Sequence, residues 1–97
     1  MSRFKGTRVI CYTDKDRLYF DCENHAGDRE ACLQISAVCN VLLCHCIDVG
    51  IKPIHYQAGH VHLEVQSPSD PTKAVFAAGM QFLNVLASQY PDHIKVY

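Results

Sequence analysis

What this sequence most plainly lacks is an excess of charge of either sign. Nine Lys and Arg stand against ten Asp and Glu, a formal net charge of −1. Without a basic field to meet phosphates, nucleic acid is not an expected partner. No apolar run reads as a membrane span, and the opening stretch Met1 to Arg8 lacks the apolar segment of a secretory signal. The expected location is therefore cytoplasmic, with no membrane partner. Linkers, internal repeats and low-complexity stretches are also missing, so residues 1–97 read as one domain. That length suffices for one core and is too short for a second. Hydrophobic residues at 48% and charged residues at 20% give the balance of a globular chain, which excludes disorder.

What is present in quantity is cysteine, six in all. A disulfide scaffold is excluded by where they fall. Cys32, Cys39, Cys44 and Cys46 lie in one expected helix. Positions seven apart on a helix are roughly 10 Å apart along its axis, beyond the reach of a disulfide. Cys44 and Cys46 point to different sides of that helix and do not pair either. Most thiols are expected to be free, which fits a reducing compartment.

The period of the apolar residues changes from segment to segment. Thr7 to Tyr12 is β-rich, Asp14-Lys15-Asp16 reads as a turn, and Leu18, Phe20 and Cys22 alternate with Tyr19, Asp21 and Glu23 as in a half-buried strand. After a short polar loop, Ala31 to Val49 reads as a helix buried on most sides, with Gly50 where a C-terminal cap belongs. Ile54 to Gln57 and Val61 to Val65 read as a hairpin joined at Ala58-Gly59. Asp70 reads as an N-cap with Pro71 at the first helical position, and Pro91 ends that second helix. Ile94 and Val96 make a last strand. The expected fold is α/β of the α+β kind, order ββαββαβ: a two-layer sandwich with about five strands in a mixed sheet and two helices on one face. The other sheet face is expected to carry His60, His62, Glu64 and Lys95.

One junction carries chemistry. His25 ends the second strand, and Cys32 stands in the first turn of the first helix. A cysteine there meets unpaired backbone N–H groups and the positive end of the helix dipole, which favour a thiolate. An adjacent imidazole can take its proton. Free N–H groups at the same helix end can hold an oxyanion. Ser36, one turn on, shares the face of Cys32 and can hydrogen-bond substrate or thiol.

The stretch Asn24-His-Ala-Gly with Ala31-Cys-Leu-Gln-Ile-Ser-Ala37 resembles the signature of the ribosomal-processing cysteine protease family, Prp. There a Gly-His-Ala ends a strand and a Gly-rich loop follows. The next helix opens with a cysteine that has Ser-Ala four and five residues later. The likeness extends to Ala58-Gly-His-Val-His-Leu63, to the helix Thr72 to Tyr90, and to Ile94-Lys-Val-Tyr97. It implies a homodimeric cytoplasmic cysteine endopeptidase without a cofactor. Such an enzyme removes a short N-terminal extension from a ribosomal large-subunit protein, after an aromatic residue. It also implies that Cys32 is the nucleophile, His25 the general base and Ser36 a supporting residue. Three departures stand out. The loop between His25 and Cys32 is shorter than the family's, Arg29 replaces an Asp, and Leu33 and Gln34 replace small residues. These point toward a different substrate, such as a phage capsid or scaffold protein, and to an alternative: a catalytically inactive binding or assembly module of the same fold.

Two further groups have ligand-type residues. His60 and His62 share a strand face with Glu64, a row that can bind zinc but is more simply the polar side of an amphipathic strand. Cys44-His45-Cys46 is splayed around a helix, and Cys39 and Cys46 read as small buried hydrophobes. No metal site is expected. Cys11 and Cys22 read as strand core residues. The five tyrosines do not cluster with basic residues, so no nucleic-acid platform is expected.

Overall fold

The computed structural model describes residues 4–97. The elements follow in the order β1 (Thr7–Asp14), β2 (Arg17–Glu23), α1 (Arg29–Asp48), β3 (His55–Gln57), β4 (His60–Gln66), α2 (Asp70–Gln89) and β5 (Ile94–Val96). The strands form one mixed sheet, β3-β4-β2-β1-β5, antiparallel except where β5 joins β1 in parallel. The α+β fold with two helices and five strands is as the alternation in the sequence implies.

Period-two alternation sets the register. Phe20 stands opposite Cys11 and Leu63, and Cys22 opposite Val9 and Val61, so one sheet face is apolar. That face closes on Ile35, Leu42 and Cys46 of α1 and on Phe76, Leu83 and Leu86 of α2. Each large apolar side chain buried there stabilises the fold by about 1.5–3 kcal/mol. The helices meet where α2 has no side chain: a Cβ on Gly79 would sit 3.1 Å from Leu42 Cδ2.

The ends of the helices follow cap chemistry. Gly50, at φ +82°, closes α1. The Gly50 N–H donates to the Ile47 carbonyl, and the Ile51 N–H to the Cys46 carbonyl. The expected Asp70 N-cap is corrected by one residue. Ser69 is the cap, its hydroxyl accepting the Thr72 N–H at 3.3 Å, and Asp70 is already helical. A serine oxygen serves as well as a carboxylate here.

Two other expectations are corrected. α1 is not buried on most sides, since Leu33, Val41 and Ile47 are 61–62% exposed. A two-layer sandwich covers only one helix face, and the outer face of α1 happens to be apolar as well. For that same reason α1 is long and apolar enough to cross a membrane, contrary to the reading that no run approaches a span. Its inner residues nevertheless belong to the core. The outer sheet face is polar and internally paired: Arg8 with Glu23 at 2.8 Å, Arg17 with Glu64 at 2.7 Å and His60 with Asp21 at 2.7 Å. Asp21, expected on the solvated side, is buried beneath His60.

Candidate active site

The segment between β2 and α1 is tied at Asn24, Ala26 and Asp28. Asn24, at φ +73°, donates its N–H to the Gly59 carbonyl at 2.7 Å, and its own carbonyl accepts the buried Thr7 hydroxyl at 2.9 Å. Gly27 turns the chain at φ +79°. Asp28 then caps α1, its Oδ1 accepting the Ala31 N–H at 3.0 Å and its carbonyl the Cys32 N–H at 2.9 Å. The Asp28 side chain thus occupies one unpaired first-turn N–H, that of Ala31, and the Cys32 N–H makes the first regular bond of the helix. A donor from outside the helix meets the sulfur. The Ala26 N–H, from the loop, points at Cys32 Sγ at 3.2 Å.

His25, Cys32 and Ser36 all line one cleft of about 310 Å³, together with Asn40, Tyr56 and Gly59. The His25 ring lies over the Gly59 backbone, so close that a Cβ there would stand 2.9 Å from Nε2. No hydrogen bond joins His25 to Cys32 among the described residues. Tyr56 and Asn40, both in the lining, are joined by the Tyr56 hydroxyl donating to Asn40 Oδ1 at 3.2 Å. Cys22 and Cys39, both buried, form part of its lining.

The six cysteines are all free, and their environments differ. A hydrogen bond to Cys39 and burial push the Cys22 thiol far above its ordinary range. Burial alone pushes Cys11 and Cys46 up. These thiols stay protonated at neutral pH; Cys22 and Cys46 are core residues, whereas Cys11, expected in the core, is half-buried at its edge. Cys44 is exposed on the outer side of α1, whereas Cys46 is fully buried and His45 Nε2 lies 2.8 Å from Thr72 Oγ1. Cys44, His45 and Cys46 thus face three ways.

The metal-type group that the fold assembles is Asp21, Glu23 and His60, with ligand atoms within 4.8 Å of one another. The row expected from sequence, His60, His62 and Glu64, is divided: His62 lies 2.9 Å from Glu64, and His60 turns to Asp21. Glu23 is engaged by Arg8 and Asp21 by His60, so both carboxylates have partners.

Cys32 stands in the first turn of α1, as the sequence implies, but the expectation that His25 ends the second strand is corrected: β2 stops at Glu23, and His25 lies two residues further on, in the loop whose carbonyl and N–H groups are tied to Gly59, Thr7 and Cys32. Among solved structures the chain is similar to the essential ribosomal processing protease Prp from S. aureus in complex with a covalently linked product peptide. The TM-score is 0.76 at 22% identity, over 93% of this chain and 96% of that one. It is likewise similar to the same protease with a substrate peptide, at 0.75 and 17% identity over 94% and 97%. A protein from Streptococcus mutans aligns at 0.74 and 14% identity over 99% and 96%. No family model matches the sequence, and no curated protein does. At these identities the likeness shows the fold: this chain has the Prp fold over nearly its whole length.

Sequence reasoning singled out His25, Cys32 and Ser36 and overlooked Ala26, Gly59 and His93. His93 lies in the turn before β5, with Nδ1 2.8 Å from the Ala26 carbonyl. Its only sequence signal is a histidine beside Pro91-Asp92, too common to weigh.

Proposed function

We propose that this protein is a cysteine endopeptidase that removes a short N-terminal extension from a specific protein, of the ribosomal large subunit or of a phage particle. Cys32 Sγ attacks the scissile carbonyl carbon, and the thiol proton passes to His25. His25 then gives that proton to the leaving amine as the C–N bond breaks, leaving a thioester on Cys32. Water, deprotonated by His25, hydrolyses the thioester and regenerates the thiol. Ser36 supports by hydrogen bonding within the cleft. The carrying observation is that His25 and Cys32 line one cleft while a backbone N–H is aimed at the sulfur. The likeness to a protease solved with a covalently linked peptide supports the same reading. The proposal includes a homodimer working in the cytoplasm, a single domain and no cofactor.

The test is cleavage of peptides bearing the Prp-type extension, alongside a proteome-derived peptide library, by wild type and Cys32→Ala. The proposal expects cleavage by wild type alone. Cleavage by neither, or equally by both, overturns it.

A second reading is favoured by one observation. His25 and Cys32 are not hydrogen-bonded, and the short loop between them is tied at both ends. A module of this fold without turnover would bind the extension peptide and leave it intact. Wild type that retains an uncut peptide on a column supports that alternative.

A further inference from the structure

His93 has no place in the dyad, yet it holds the residue that faces the sulfur. Its Nδ1 lies 2.8 Å from the Ala26 carbonyl, and a carbonyl oxygen only accepts, so Nδ1 carries the proton. The N–H of the same alanine donates to Cys32 Sγ at 3.2 Å. Ala26 is only 2% exposed and is followed by Gly27 at φ +79°, a residue free to rotate if nothing pins its neighbour. The backbone of His93 is anchored independently of its ring. Its N–H donates to the Tyr90 carbonyl, and its carbonyl accepts the Thr7 N–H at 2.8 Å. The imidazole is thus a rigidly mounted donor, delivered from the far end of the chain to the loop between His25 and Cys32.

We infer that His93 is a positioning residue for the Cys32 site: it clamps the Ala26 carbonyl so that the Ala26 N–H stays aimed at the sulfur. This rests on the reading of Cys32 as nucleophile. The Cys32 N–H is spent on Asp28, so the Ala26 N–H is the backbone donor the structure directs at the sulfur. A donor aimed at a sulfur stabilises negative charge there. The clamped carbonyl and the N–H lie in neighbouring peptide planes joined at the Ala26 Cα, so displacement of the Ala26 backbone would withdraw that donor. It would also shift His25, the adjacent residue.

The test compares His93→Ala, His93→Asn and His93→Gln. The Asn amide nitrogen occupies the place of Nδ1, whereas that of Gln occupies the place of Nε2. Two quantities are read: the rate of Cys32 alkylation by iodoacetamide at pH 7, located by peptide mass, and kcat and KM on a cleaved peptide. His93→Ala and His93→Gln are expected to slow alkylation and to lower kcat roughly ten- to hundred-fold with KM little changed, as for a displaced catalytic group. His93→Asn is expected to restore most of both. Equal behaviour of Asn and Gln overturns the inference, as does a His93→Ala protein that matches wild type. Should His93→Ala fail to fold, the Asn and Gln pair decides. Should wild type cut no peptide, the protease reading falls, and the alkylation rates alone decide the role of His93.

Discussion

The His25 imidazole rests on the backbone of Gly59, at the bend between β3 and β4, and the absent side chain of Gly59 is what makes room for it. A Cβ there would stand 2.9 Å from Nε2, and the residue sits at φ +84°. Position 59 therefore fixes where the imidazole can lie. It also fixes Asn24, whose N–H donates to the Gly59 carbonyl at 2.7 Å.

Gly59→Ala should act on both. The left-handed conformation costs a residue with a side chain about 1–2 kcal/mol, measurable as a lower urea midpoint. The added methyl pushes the His25 ring away, so peptide cleavage should fall further than the fraction unfolded explains. An active Gly59→Ala enzyme would show that His25 works from another position.

The thiols define a stability profile at high pH. Burial raises Cys11 and Cys46 from an ordinary 9.0, while the hydrogen bond between Cys22 and Cys39 raises the first and lowers the second, so that pair opposes itself and the profile rests on Cys11 and Cys46. Above that value the unfolded chain releases thiol protons that the folded chain keeps. The unfolded state then binds fewer protons, and stability falls as pH rises. Urea midpoints should be flat from neutral pH to about pH 8 and decline above the ordinary thiol range. The decline should be shallower in Cys11→Ala. An identical profile in that variant would contradict this origin.

The crossing of the helices gives a coupled pair. Leu42→Ala should cost about 2–5 kcal/mol in chemical denaturation, since Leu42 is fully buried. Gly79→Ala gains helix propensity of about 1 kcal/mol but presses on Leu42 Cδ2 at 3.1 Å. With Leu42 truncated that obstruction is gone. Gly79→Ala should thus be more favourable in the Leu42→Ala background than in wild type, and strict additivity would contradict the packing described here.

The fold was legible because each layer repeats a simple rule. Phe20, Cys22, Val61 and Leu63 alternate with polar residues, and the interior of both helices follows from spacing. The outer face of α1 was misread because Leu33, Val41 and Ile47 are as apolar as its core, and only the layer count says which face is covered. The cap of α2 moved by one residue because Ser69 and Asp70 are equally good caps. Within the site, His25, Cys32 and Ser36 were visible as side chains at a spacing. Ala26, Gly59 and His93 act through backbone groups or through a contact spanning 67 residues, to which sequence periodicity is blind.

The most direct measurement asks where the acyl group goes. Wild type is mixed with a cleavable peptide, quenched with acid within the first turnover, digested at low pH and searched by mass spectrometry for a thioester. A thioester on Cys32, absent from Cys32→Ala and greatly reduced in His25→Ala, is the predicted result. Peptide cleaved with no adduct on Cys32, or with the adduct on exposed Cys44, would contradict it.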